Sequence, residues 1–364
     1  MNRIKKPTDK IANIETRISR IIPENVATNL GDNSLGAWGL GYFGATQGSI
    51  PWGERRVKGL VASRIAVGVE HGLAIVNGNV WAWGWNINGQ LGDGTIENRA
   101  APVRSGTLKN IVSIAAGDLH SLALDRDGNV YAWGKVEFVP SGTNLGTDNN
   151  QKTPTQVRGL ENVSAIAAGA TFSLALKRDG TVWELGPIIV SSDQIYGFIP
   201  KKVEHLIGIS AIACGNSHAL AISLSEGRVW AWGYNFASQL GDGTAQDRPT
   251  PVRVVGIHGI TRIAAGRLHS LALDRDSNVY AWGLNTDGQL GGGTTLDKAI
   301  PVQVPGVTGI VEIGAGFAQS FAIDSNGKLW LWGEGVAGRT PVVSSDWQGV
   351  KEIAAREHFY AVRM

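Results

Sequence analysis

Ile111–Gly134 reads IVSIAAGDLHSLALDRDGNVYAWG, and the chain repeats this line. Close copies lie around Gly68, Gly169, Gly215, Gly266 and Gly316, and an altered copy ends the sequence at Ile353–Met364. The clean copies recur about every fifty residues, and a fixed period of that size marks a solenoid or a propeller. Residues present in every copy do the same structural job each time. Function therefore belongs where the copies differ.

Four strands can be read within one copy. Ile111–Ala116 is rich in β-branched residues (strand A), and Ser121–Leu124 is short and apolar (strand B). Asp127-Gly128 signals a hairpin turn. Val130–Trp133 resumes the strand pattern, with Tyr131 and Trp133 on one face and Ala132 on the other (strand C). A glycine-rich loop follows, then a short strand at Pro-Val, as in Pro102–Arg104 (strand D). Four short antiparallel strands per repeat make one propeller blade. The A–B and C–D halves each occur seven times, with a C–D half first and an A–B half last. The expected fold is an all-β, seven-bladed propeller of four-stranded antiparallel blades over residues 33–364, its last blade closed by N- and C-terminal strands. Residues 1–32 are expected to be a basic tail or a short helix. Arg3, Lys5, Lys6, Lys10, Arg17 and Arg20 face only Asp9 and Glu15 there, and Ile11, Ile14, Ile18 and Ile21 follow helical spacing.

The totals narrow the function classes. Net charge is +2, of which the first twenty residues hold +4. So diluted a basic footprint argues against nucleic acid as partner. No apolar run of 18 or more residues is present, and the start lacks the apolar stretch of a secretory signal. A cytoplasmic protein is expected, or one secreted without a classical signal peptide. The single cysteine, Cys214, excludes an intramolecular disulfide and reads as a small buried thiol.

The pattern AAGxxHSLAL, DGxVYAWGxNxxGQLGDGT, PV resembles the repeat of the regulator of chromosome condensation family. Gly84–Val103, Gly233–Val252 and Gly283–Val302 are near-complete copies of its loop half, and the resemblance covers roughly residues 33–364. It implies a seven-bladed propeller. It leaves function open among exchange factors for a nuclear GTPase, a plant ultraviolet photoreceptor, bacterial effectors and secreted β-lactamase inhibitors, because fold does not fix function. The photoreceptor carries Gly-Trp-Arg-His-Thr in the A–B loop. Here the second position is Val69, Asp118, Ala170, Asn216, Arg267 or Phe317 and never Trp, which argues against light sensing. The exchange factors add a protruding hairpin. None is evident here, although Lys135–Pro154 has room for a short one. The inhibitors present loop aromatics, a style that Trp85, Tyr234, Phe236 and Phe317 match in position.

Several motifs invite chemistry and read better as structure. Trp38, Trp83, Trp133, Trp232, Trp282 and Trp332 share one column and read as blade packing, with Leu185 in the remaining copy. His71, His120, His218 and His269 share another, joined by His358 if one residue is deleted before Glu357. Phe172 and Gln319 replace it elsewhere, which suits a hydrogen-bonded structural histidine better than a metal ligand. Gly39–Gly44 matches GxGxxG without the strand and helix that a dinucleotide site needs. Gly215–Ala219 resembles a nucleophile elbow but is the A–B loop in register. Asp125–Asn129 lacks the glycine and closing glutamate of a calcium loop. No convergent acid, base and nucleophile set emerges, so neither an enzyme nor a cofactor is expected.

The B–C turns are monotonous, whereas the A–B and C–D loops vary. In antiparallel blades those two loop sets emerge on one face. That face gathers Tyr42, Phe43, Trp85, Ile87, Phe138, Tyr196, Phe198, Tyr234, Phe236 and Phe317, interspersed with Glu70, Asp118, Arg267 and Glu357. Aromatics amid mixed charges are the composition of an interface. The expected function is binding another protein, with Glu70, Asp118 and Arg267 setting orientation. The alternative is nucleotide exchange or effector action on a small GTPase. A monomeric ring is expected.

Overall fold

The computed structural model of the protein describes residues 35–39, 55–56, 61–136, 150–186, 188–191, 194–196, 200–345, 347–356 and 359–363. For residues 35–39, 55–56, 188–191, 194–196 and 359–363 only the backbone is described. The architecture is an all-β propeller of four-stranded antiparallel sheets. Six blades are each built from one contiguous stretch. Blade 1 runs from Arg64–Val67 to Arg99–Arg104, blade 2 from Ile111–Ala116 to Gln151–Gln156, and blade 3 from Val163–Ala168 to Lys201–Lys202. Blade 4 runs from Ile209–Cys214 to Arg248–Arg253, blade 5 from Ile260–Ala265 to Lys298–Gln303, and blade 6 from Ile310–Ala315 to Val342–Val343.

The expectation of seven like blades is thereby corrected to six complete blades. The leftover half-repeats at the two ends do not form a blade of the same kind. They pair into a composite sheet in the order Arg55–Arg56, Leu35–Gly39, Phe359–Arg363, Glu352–Arg356. The physical reason lies in the residues: the end copy has Arg356 where six blades have glycine, and Phe359 and Tyr360 where most blades have histidine and serine. The composite sheet touches blade 1 on one side and blade 6 on the other.

Each blade buries its faces against its neighbours, so the core is divided into wedges. Leu122, Leu124, Val130 and Ala132 of blade 2 pack with Ala175 and Leu185 of blade 3. Trp133 of blade 2 packs into blade 1 among Leu73, Ala82 and Leu91. Trp83, Trp133, Trp282 and Trp332 are all fully buried, as blade-packing residues must be. A wholly buried Leu contributes roughly 1.5–3 kcal/mol, so each wedge stabilises both blades that share it.

A second departure concerns blade 3. Ile188–Ser191 and Gln194–Tyr196 form a two-stranded antiparallel hairpin where blades 1, 4 and 5 carry the GQLGDGT loop or a near copy of it. This hairpin is distinct from the Lys135–Pro154 stretch where the sequence left room for one, most of which lies outside the described residues.

Candidate functional site

The site is the face formed by the A–B and C–D loops, and backbone hydrogen bonds place these loops side by side. The amide following each Trp-Gly pair donates to the A–B loop of its own blade: Trp85 to Glu70 O (2.8 Å), Lys135 to Leu119 O (2.8 Å), Tyr234 to Ser217 O (2.9 Å), Leu284 to Leu268 O (2.9 Å) and Glu334 to Ala318 O (2.9 Å). Neighbouring A–B loops are linked in turn, Asp118 N to Ala170 O, Ala170 N to Asn216 O and Arg267 N to Gly316 O.

The C–D loops are built around a buried asparagine. Asn86 Oδ1 accepts from Leu91 N at 2.9 Å, and its Nδ2 donates to Asp93 Oδ1 and to the Thr95 carbonyl. Asn235 repeats this geometry on Leu240, Asp242 and Thr244. Arg99 closes the first loop on Asp93 (2.8 Å), and Arg248 closes the second on Asp242 (2.7 Å). Burial alone would raise the Asp93 pKa, but hydrogen bonds from Thr95 and Arg99 outweigh it and hold the carboxyl below its ordinary value. In blade 5, Gly292 and Lys298 stand where the other loops have Asp and Arg, and Asn285 Nδ2 turns to the carbonyls of Thr294 and Leu296.

These scaffolds hold apolar side chains in solvent. Ile87 is 54% exposed, Tyr234 56% and Phe236 65%. Trp85 and Phe317 are half-buried. The Arg267 guanidinium lies 4.3 Å from the Phe317 ring centroid, a cation–π pair between blades 5 and 6. Glu70 is half-buried, and burial raises its pKa. Asp118 is occupied: it accepts from Arg356 Nε at 3.0 Å and Nη2 at 2.8 Å. Tyr196 lies on the added hairpin, where only the backbone is described. Tyr42, Phe43, Phe138 and Phe198 lie outside the described residues, as do Glu357 and His358 and most of the GxGxxG stretch. The structure thus brings Arg267 to Phe317, and Trp85 to the backbone of Glu70.

The histidine column holds the blades together. His71 Nε2 lies 2.9 Å from Ser121 Oγ, His120 2.7 Å from Ser173, His218 2.9 Å from Ser270 and His269 3.0 Å from Ser320, each serine being in the next blade. Ser121, Ser270 and Ser320 also donate to a loop glutamine carbonyl of the preceding blade, as Ser121 does to Gln90 O. The same carbonyls accept the Trp133, Trp282 and Trp332 indoles. Where the histidine is missing, the next serine is missing too: Phe172 is followed by Ala219, and Gln319 by Tyr360. The His358 alignment needs correcting. Arg356 pairs with Phe359, so Phe359 fills the histidine column with no deletion, and Arg356 stands where six blades have glycine. Sequence reasoning passed over this glycine-to-arginine change, although it is visible in the repeat. Among the described residues no group of three or more His, Cys, Asp or Glu could hold a metal ion, and no helix is long and apolar enough to cross a membrane.

Comparison with known proteins agrees with the architecture. A family model described as RCC1-like domain matches residues 27–355. The probable E3 ubiquitin-protein ligase HERC6 of Homo sapiens is 33% identical over 259 residues, covering 66% of this chain and 25% of that protein. The ultraviolet-B receptor UVR8 of Arabidopsis thaliana is 30% identical over 261 residues, covering 66% of this chain and 59% of that one. The chain therefore spans less than two thirds of the length of these relatives. Prp20p of Saccharomyces cerevisiae, whose structure was described with its binding to Gsp1p and histones, superposes with a TM-score of 0.77 at 21% identity, over 100% of this chain and 95% of that chain.

Proposed function

Starting from the fact that this chain belongs to the RCC1-like domain family, we propose that it binds another protein through its A–B/C–D face and performs no bond chemistry. The observation that carries this reading is the exposure of Tyr234 and Phe236 on a loop whose backbone is held by Asn235, Asp242 and Arg248. Rigid aromatic anchors lose little entropy on binding and act as hot spots. Arg267, fixed over Phe317, supplies a directional charge beside them. An interface of standard size would bury roughly 1,200–2,000 Å². On this reading one propeller spans residues 33–364 behind a basic segment and works as a monomeric ring, in the cytoplasm or after export without an apolar signal. The ligase named for HERC6 is not carried over, since the match covers 25% of that protein.

The test is capture of partners from a lysate of the protein's own source, with Tyr234→Ala/Phe236→Ala as the control. A partner held by the native protein and lost by the variant supports the reading. Identical retention by both removes it.

A second reading, exchange on a small GTPase, is favoured by the hairpin Ile188–Tyr196 in blade 3, because exchange factors of this family combine such a face with a protruding hairpin. Prp20p is described with Gsp1p as a binding partner. Release of labelled GDP from a panel of small GTPases tests it. Acceleration abolished by deleting the hairpin supports exchange, and no acceleration with any GTPase removes it.

A further inference from the structure

The inner strands surround an axial channel that encloses about 190 Å³, lined by residues including Ala116, Cys214, Arg267 and Arg356. Six blades end their inner strand in glycine, and at Gly68, Gly117, Gly169, Gly215 and Gly266 there is no room for a side chain. A Cβ on Gly117 would lie 2.1 Å from His120 Cε1 and 2.7 Å from the Gly169 carbonyl oxygen. The composite sheet breaks this rule with Arg356. Its side chain is only 9% exposed and binds neither adjoining blade. Nε and Nη2 donate to Asp118 Oδ1 in the A–B loop of blade 2, and Nη1 donates to Ala168 O of blade 3 at 3.1 Å. Blade 1 stands between the composite sheet and blade 2 around the ring. The guanidinium therefore reaches its partners across the channel mouth.

A second observation concerns the borders of the composite sheet. Four junctions between blades carry a His–Ser pair. Neither border of the composite sheet has the residues for one: Gln319 faces a column holding Tyr360, and Phe359 faces a column holding Gly72. The sheet that joins the chain's two ends lacks the staples used elsewhere and carries a cross-channel ion pair instead.

We propose that Arg356 and Asp118 form a latch that fastens the composite sheet across the ring and shuts the axial channel at the loop face. Opening the latch exposes the channel wall, including Cys214. This role does not depend on any partner.

The chain contains one cysteine, and it lies on that wall at 8% exposure, so it reports on the latch directly. The full chain is treated with N-ethylmaleimide under native conditions and labelling is followed by intact mass, with hydrogen exchange measured in parallel. Losing two or three charged hydrogen bonds should speed labelling by about tenfold or more in Arg356→Gly and in Asp118→Ala. Faster exchange should be confined to Leu35–Gly39, Glu352–Arg356 and Phe359–Arg363. Asp242→Ala, which breaks an ion pair away from the channel, should leave labelling unchanged. If Arg356→Gly fails to fold, Asp118→Ala carries the test alone, since it leaves the composite sheet's sequence intact. Labelling as slow as in the native protein overturns the latch. So does acceleration accompanied by equally faster exchange in every blade, or equal acceleration in Asp242→Ala.

Discussion

His120 is neutral because it is buried. Desolvation lowers its pKa to about 3, with the nearby Arg356 charge acting in the same direction, and its Nε2 lies 2.7 Å from Ser173 Oγ. His71 and His218 are also lowered to about 3, and His269 to about 4, in each case by burial first. A folded-state pKa below the unfolded value means that the unfolded chain binds more protons. The contribution of these histidines is therefore complete above about pH 6.5, the unfolded value, and is lost as pH falls towards their folded values. The melting temperature should drop steadily from pH 7 to pH 4. The chain also holds its own control: the junction of blades 3 and 4 has Phe172 and Ala219 in place of the pair. His218→Phe with Ser270→Ala should flatten the pH slope in thermal unfolding, and an unchanged slope would assign it to the carboxylates. The tryptophan column makes a separate prediction. Trp282 is fully buried and donates to Gln239 O at 2.9 Å. Trp282→Ala should cost about 3–5 kcal/mol in denaturant unfolding by leaving a cavity.

At the scale of single elements, the C–D loop is a rigid mount. Asn235 lies between the exposed Tyr234 and Phe236, and its buried side chain satisfies two backbone groups of the same loop, Leu240 N and Thr244 O. Phe236→Ala should weaken partner binding by more than about 1 kcal/mol with an unchanged melting temperature. Asn235→Ala should lower both, because the loop backbone loses its buried partners. Titration calorimetry and thermal unfolding on the two variants separate presentation from contact. The repeat made this mount legible, since Asn and Gln recur at fixed offsets in the near-complete copies. The hairpin Ile188–Tyr196 was not legible, because loss of a motif says that a loop has changed without saying what replaces it. The role of Asp118 was equally hidden. Its partner Arg356 lies far along the chain, and repeat alignment reports columns within blades rather than contacts across a channel.

For the whole molecule, periodicity gave the strand order and the antiparallel pairing directly. The blade count was less legible, because counting half-repeats treats the ends as equivalent to the middle. Six blades end their inner strand in glycine, and the composite sheet carries Arg356 there. Removing Val350–Met364 would strip Glu352–Arg356 and Phe359–Arg363 from that sheet and leave Leu35–Gly39 as an open edge. The truncated chain should accumulate as insoluble protein. A soluble, cooperatively melting truncation in a sedimentation and calorimetry assay would show that the six blades hold without closure. The glutamine carbonyls carry a last consequence. Gln90, Gln239 and Gln289 each sit in the loop of one blade while receiving the indole and hydroxyl of the next. A sheet excised at its own borders would leave half of this socket behind. The unit that can be transplanted between such rings, or duplicated in evolution, is therefore offset from the visible sheet: it runs from one glutamine to the next, and chimeras cut there should keep both halves of each joint.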